Sequence, residues 1–321
     1  MKIAIVRLSA LGDIVNAAVV VQFIKAAYSG CRVEWICEEH FAPLVKRIDG
    51  VDAVHSVGLR QLKKERKLSL LREQIAAIRS FGEYDIAIDM QGLLKSSIVA
   101  KLTCKRVHGY DKNSIRERIA SLFYTSTTAI AYEENIILRN VALINDALNL
   151  SVDTAAIEQK RAVFLAARLQ KKQDLLFVLG ASWESKIYPA KKLAKVCRAL
   201  QKETLLIWGD EEERKRAETI ALTCKHAVVA PKLSLEALID TITNTRLLIG
   251  NDTGPTHIAW AQNIASVTLF GPTNRRMIYT TERNIAVESD SHVDILKIDK
   301  EDFSIRDIDE TRVIEAARRL L

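Results

Sequence analysis

Apolar and polar positions along the chain follow two periods in turn. Short apolar runs, often β-branched, at 2–7, 33–37, 53–57, 84–89 and 106–109 predict strands. Between them apolar residues recur at helical spacing over 14–28, 40–48, 68–80, 93–103 and 135–149; in 68–80 they are Leu70, Leu71, Ile75 and Ile78. Residues 153–161 are polar and weakly patterned, which predicts a linker. The pattern then restarts, with strands at 175–179, 204–208, 227–229, 247–249 and 265–270. Helices are predicted at 190–200, after Asp210, at 234–244 with Ser234 as N-cap, at 256–262, and at 309–321. Two runs of alternating strands and helices predict an α/β protein of two doubly wound, Rossmann-like domains. These are placed at 1–155 and 162–305, with a C-terminal helix in 306–321 free to pack back on the first domain. A length of 321 residues suits two domains better than one core.

Ligands of such sheets bind at the carboxyl ends of the strands. The loops of interest therefore follow Arg7, Asp89, Leu179, Trp208 and Ile249. The last, Gly250-Asn251-Asp252-Thr253-Gly254-Pro255, runs straight into a helix. Its free backbone N–H groups and the positive end of the helix dipole suit a phosphate, here a nucleotide diphosphate. Asp252-Thr253-Gly254 is also the triplet of aspartic proteases, but those are β-rich, whereas here Pro255 and a helix follow at once. No GxGxxG follows the first strand, so no dinucleotide cofactor is expected.

Composition narrows the classes. Apolar residues make up 48% of the chain, yet no apolar run approaches the roughly 20 residues of a membrane-spanning helix. Residues 14–24 come nearest and are interrupted by Asn16 and Gln22. Residues 3–6, ended by Arg7, are too short for the apolar part of a signal peptide, so a cytoplasmic protein is expected. The five cysteines are scattered without a CxxC pair, which predicts reduced, mostly buried thiols. A net charge of +7 favours anionic partners. Cations cluster at Arg60, Lys63, Lys64, Arg66 and Lys67, and again at Lys101, Lys105, Arg106, Lys112, Arg116 and Arg118. Either cluster alone reads as a solvated helix face; both in the first half point to one anionic ligand there. Nucleic acid is disfavoured by an aromatic content of only 6% and by the lack of recognition motifs.

Assembled, several stretches resemble a known family. They are Ser9-Ala10-Leu11-Gly12-Asp13, Asp89-Met90-Gln91-Gly92-Leu93-Leu94-Lys95-Ser96, Ala120-Ser121-Leu122-Phe123-Tyr124, Trp208-Gly209 followed by acids, Pro231-Lys232-Leu233-Ser234-Leu235, and Asn251-Asp252-Thr253-Gly254-Pro255-Thr256-His257. Over nearly its whole length the chain resembles the ADP-heptose:lipopolysaccharide heptosyltransferases, and most the heptosyltransferase I branch, which adds the first inner-core heptose to Kdo. The resemblance implies a GT-B fold, two Rossmann-like domains facing across a cleft. It implies inverting transfer of L-glycero-D-manno-heptose from ADP-heptose to a Kdo hydroxyl of a lipid A precursor. The enzyme would then work at the inner face of the inner membrane, as a peripheral protein.

The resemblance also implies roles. Asp13, which on spacing alone reads first as a helix cap, becomes the general base. Lys186, otherwise a surface lysine, offsets charge on the departing diphosphate, with Ser182 and Trp183 on the same loop. Glu213 takes the ribose hydroxyls, Glu211 being the other candidate in an acidic first turn that also complements the helix dipole. Leu233 contacts adenine, or simply packs. Asp252, Thr253, Gly254 and His257 form the donor loop, Asp252 on sugar hydroxyls and the Thr253 and Gly254 amides on phosphate; a core histidine is the plainer reading of His257. Arg60, Lys63 and Lys64 bind the Kdo carboxylate and lipid A phosphates, with Arg116 and Arg118 as further candidates. No metal-binding Asp-x-Asp pair follows the strands, so neither a metal nor a cofactor is expected. Two alternatives stay open: a related transferase such as a heptosyltransferase II, and a nucleotide-sugar-binding regulator without catalysis.

Overall fold

The computed structural model describes residues 1–65 and 67–321 and divides into two units, Met1–Leu165 and Ala166–Leu321. Among these described residues each unit holds one six-stranded sheet, with every strand pairing parallel.

The first unit runs β1 (Lys2–Val6), α1 (Leu11–Ala18), α2 (Val20–Ala27), β2 (Arg32–Glu38), α3 (Ala42–Val45), β3 (Ala53–Val57), α4 (Leu59–Glu65), α5 (Leu68–Arg79), β4 (Ile86–Asp89), α6 (Leu94–Thr103), β5 (Val107–Tyr110), β6 (Ser126–Thr128), α7 (Ile136–Leu148) and α8 (Thr154–Glu158). Its strand order is β3-β2-β1-β4-β5-β6. Ile5 of β1 lies in register between Trp35 and Ile88. A central parallel strand is covered on both faces, which is why β1 is an unbroken apolar run rather than an alternating one. On one face Ile78 of α5 and Val99 and Ala100 of α6 pack against Ala4, Val6 and Ile36. The strand order reverses between β1 and β4, so the loops after these two strands open the crevice where such sheets bind ligands.

The second unit runs β7 (Gln173–Val178), α9 (Ala190–Leu200), β8 (Thr204–Ile207), α10 (Glu211–Thr223), β9 (Ala227–Val229), α11 (Leu235–Thr243), β10 (Thr245–Asn251), α12 (Gly254–Ala261), β11 (Ala265–Phe270), β12 (Asn284–Glu288) and α13 (Glu310–Leu320). The order is β12-β11-β10-β7-β8-β9, with the reversal between β10 and β7. Helix starts follow the capping chemistry: Asp210, Ser234 and Asp309 each accept an amide of the first turn.

Several expectations are corrected. The predicted helix 14–28 is two helices that meet at Val19. Residues 153–161 are not an open linker: they contain α8, capped by Asp153 and anchored by buried Ile157, and the division falls later, at Leu165. The terminal helix, offered above to the first unit, packs instead on α9 and β11 of the second, through Val313 and Ala317. Cys197 on α9 and Cys224 at the end of α10 form a disulfide, against the expectation of reduced thiols; the two helices lie side by side, which scattered spacing cannot reveal. Cys31, Cys37 and Cys104 are buried free thiols. Strands β6 and β12, each at one edge of its sheet, are additional to the predicted ones.

Candidate functional site

In the first unit the loop after β1 turns directly into α1, which puts Asp13 in the first helical turn. One carboxylate oxygen, Oδ2, accepts the Ala10 amide at 3.3 Å and faces the Arg7 guanidinium at 2.9 Å. Arg7 is buried, and its other terminal nitrogen donates to the Met90 carbonyl of the β4 loop. The Leu8 amide donates to Gln91 Oε1 at 2.8 Å, so two bonds tie the β1 and β4 loops together at the switch point. Asp13 keeps 31% side-chain exposure, enough to meet a ligand. Arg7 was not singled out by sequence, and only the register of β1 against β4 reveals its role.

The β4 loop is itself built around a carboxylate. Asp89 is fully buried and accepts Gln91 N, Gly92 N, Ser96 Oγ and Tyr124 OH at 2.7–3.3 Å. Burial pushes its carboxyl above the ordinary value, and these four donors oppose the shift. Gly92 is required here: its φ is +68°, and a Cβ would meet Ile115 at 2.6 Å. The Asp89–Ser96 and Ala120–Tyr124 stretches are therefore one network that fixes the loop.

Arg60, Lys63 and Lys64 lie exposed on α4; Arg66 is outside the described residues. The Arg60 amide donates to Glu38 at 3.4 Å, and its guanidinium sits 6.0 Å from the Phe41 ring. Buried Glu38 has its carboxyl raised by desolvation, with the charges of Lys95 and Arg60 pulling it back. No hydrogen bond or ion pair joins the α4 cations to Asp13 among the described residues.

The second unit gathers more of the predicted residues. The loop after β7 and the loop after β10 are stitched by Asn251, which accepts Tyr188 N and donates to the Gly180 carbonyl. That seam brings together Lys186 and Asp252, with Nζ 2.7 Å from Oδ2 and both side chains nearly inaccessible. Thr273 Oγ1 donates to the same oxygen at 2.9 Å, and His257 Nε2 lies 3.3 Å from Oδ1. Burial alone would raise the Asp252 carboxyl; Lys186 and His257 outweigh it and hold the group well below the usual carboxylate range. Among the described residues His257 Nδ1 is buried without a hydrogen-bond partner. Gly254 and Pro255 open α12 beside the cluster, with Thr253 as N-cap. Trp183 lies within 5.5 Å of Lys186 Nζ and 4.9 Å of Lys300 Nζ, while Ser182 on the same loop is exposed.

Among the three acids of α10, Glu213 is the one turned toward the strand ends. Its Oε2 accepts the Gly209 amide at 2.6 Å, and the side chain occupies the space where a Cβ on Gly180 would stand. Burial raises its carboxyl, and neighbouring Asp210 adds to the shift. Glu211 and Glu212 instead pair along the exposed helix with Arg214 and Lys215. Leu233 is half-buried beside Lys232, whose ammonium lies 5.9 Å from the Trp208 ring. No cluster of three His, Cys, Asp or Glu side chains able to hold a metal occurs among the described residues.

Two α/β units with switch-point loops, one bearing a half-exposed carboxylate and the other a Lys–Asp–His cluster at a helix start, have the α/β fold of the GT-B structures. Residues 75–297 match the family described as glycosyltransferase family 9 (heptosyltransferase), and the chain belongs to that family. It is accordingly a transferase. It is 34% identical to lipopolysaccharide heptosyltransferase 1 of Campylobacter coli, over 100% of this chain and 99% of the relative. The same-named protein of Pseudomonas aeruginosa is 30% identical over 85% of this chain and 79% of its own. Among solved structures, E. coli heptosyltransferase WaaC with ADP shares the fold at a TM-score of 0.84, with 23% identity and full coverage of both chains. WaaC with ADP-2-deoxy-2-fluoro heptose gives 0.82 over 98% of each.

Proposed function

We propose that the protein transfers L-glycero-D-manno-heptose from ADP-heptose to a Kdo hydroxyl of a lipid A precursor, with inversion, in building the lipopolysaccharide inner core. The observation that carries this reading is the end-to-end likeness to a lipopolysaccharide heptosyltransferase 1. The structure of WaaC with a fluorinated ADP-heptose supports the choice of donor.

In this reading the donor belongs to the second unit. The Thr253 and Gly254 amides and Lys186 meet the diphosphate, Asp252 and His257 meet sugar hydroxyls, and Glu213 meets the ribose. The acceptor belongs to the first unit, where Arg60, Lys63 and Lys64 offer charge-assisted hydrogen bonds to its carboxylates and phosphates. Arg7 and the Ala10 amide both hold Asp13 by Oδ2, which leaves Oδ1 for the acceptor hydroxyl. Asp13 takes that proton as the Kdo oxygen bonds to the anomeric carbon; the bond from that carbon to the phosphate oxygen breaks on the opposite side, and ADP departs with the electron pair. Lys186 offsets the charge that develops on ADP, so no metal is required.

No helix among the described residues is long and apolar enough to cross a membrane. The reading places the protein in the cytoplasm, held peripherally at the inner face of the inner membrane, where its lipid acceptor is. The test is purified protein with ADP-heptose and Kdo-lipid A, followed by mass spectrometry. The acceptor should gain the mass of one heptosyl residue. No gain, with product from another nucleotide sugar or only with an acceptor already carrying heptose, would overturn it.

A further inference from the structure

One face of the first sheet is covered by a thin helical layer: α5, α6 and the 3-10 turn Arg118–Phe123, with α6 in contact with both of the others. Among the described residues α6 buries five of its ten, including Val99 and Ala100, whereas α5 buries only Ile78 and the turn only Ala120. The outer side is unusually apolar. Leu122 is 79% exposed, Leu68 63% and Ile119 55%, and Ile98 and Leu71 also stand in solvent. A 3-10 turn repeats every three residues, so Ile119 and Leu122 project from the same side. On α6 the outward stripe is Lys95, Ile98 and Lys101, an aliphatic residue between two cations.

The charge around these side chains has one predominant sign. Arg72, Arg116 and Arg118 are exposed and have no carboxylate partner among the described residues. Of the nearby acids, exposed Glu117 accepts the Leu94 amide at 2.7 Å, and Glu65 is paired with Lys67 at 3.0 Å. Glu73 is a further exposed acid, on α5. The layer also reaches the working edge of the unit: α6 starts just beyond β4, and the turn follows β5, at the strand ends that carry Asp13.

We propose that this face is the surface by which the protein seats on an anionic lipid bilayer. The exposed Leu and Ile side chains enter the boundary between headgroups and acyl chains, and the surrounding Lys and Arg meet lipid phosphates. Nucleic acid would use the cations but has no use for protruding aliphatic side chains, and the turn offers a single half-buried aromatic, Phe123, rather than a run of stacking platforms. The inference rests on the proposed function in one respect, that the acceptor is a membrane lipid.

Vesicle flotation without any acceptor tests it. The intact protein should float with phosphatidylethanolamine–phosphatidylglycerol vesicles and not with phosphatidylcholine vesicles. The Ile119→Ser/Leu122→Ser variant should lose about tenfold in partition. Salt at about 1 M should weaken the residual, charge-driven binding. Leu222→Ser, which removes an 88%-exposed leucine of the second unit, should float like the parent. Circular dichroism and ADP affinity of the double variant should be unchanged, showing that it folds. A double variant that floats normally, or a parent that ignores anionic vesicles but binds an oligonucleotide, would overturn the proposal. Vesicle binding that depends on these residues, with no heptose transferred to any acceptor, would leave the docking face standing and remove the enzymatic reading. Transfer that proceeds with vesicle binding insensitive to the double variant would do the reverse.

Discussion

Replacing Lys186 by Met should destabilise the second unit in a way that depends on pH. The ammonium lies 2.7 Å from Asp252, whose side chain is only 4% exposed. Removing one member of a buried pair strands the other, at a typical cost of about 3–5 kcal/mol. Thr273 and His257 stay in contact with the carboxylate, which favours the lower end, about 3 kcal/mol. With a urea dependence of about 1–3 kcal/mol per molar, the midpoint should fall by roughly 1–3 M at neutral pH. The sign with pH follows from the depressed Asp252 carboxyl of the parent. Its stabilisation is full above the ordinary carboxylate range and is lost as pH falls through the folded-state value. In the variant the lysine charge is gone, burial prevails, and protonation relieves the stranded charge. The gap between parent and variant should therefore narrow as pH drops below the ordinary range. Lys186→Met/Asp252→Leu should be less destabilised than the single variant, because nothing charged is left buried. Urea melts of all three proteins across pH, read by tryptophan fluorescence, give the answer. A single variant as stable as the parent at neutral pH, or a gap that does not change with pH, would refute the reasoning.

Gly180→Ala places a Cβ 1.8 Å from Glu213 Oε1 and must evict that side chain; ADP affinity by calorimetry should drop about tenfold, a loss typical of one hydrogen bond to a charged group, with the fold retained. Glu34 is buried, yet Tyr84, His55 and Lys2 hold its pKa at about 2 rather than 4.5 against the effect of burial. Glu34→Gln should cost about 3 kcal/mol at neutral pH, and thermal melts should converge with the parent as pH falls from about 4.5 to about 2. If, as proposed, Lys186 and the Thr253 and Gly254 amides meet the diphosphate, transfer should continue in excess EDTA; activity that is abolished and then restored by magnesium would contradict this.

The alternation of strands and helices is legible in sequence because central parallel strands are buried on both faces and read as unbroken apolar runs, as in β1, β10 and β11. Caps are legible for a local reason: Ser234 and Asp309 each bond within three residues of themselves. What escapes is set by partners far along the chain. Lys186 and Asp252 are 66 residues apart, and Arg7 reaches Met90 over 83; both pairings follow from strand order, which no local pattern encodes. Glu213 is separated from Glu211 only by the space above Gly180, a contact invisible to a run of three acids. The Asp89 network shows the converse, since a sequence motif can mark a loop scaffold as well as a reacting group.

Turnover by Asp13→Asn, measured beside ADP affinity, tests the central claim most directly. Asparagine can still accept the Ala10 amide and the Arg7 guanidinium through its carbonyl oxygen, so the loop should keep its shape. It cannot take the acceptor proton. ADP affinity and melting should be unchanged, with kcat for heptose transfer to Kdo-lipid A lower by about 100- to 10,000-fold. Turnover within a few-fold of the parent would contradict it and remove Asp13 from the role of base.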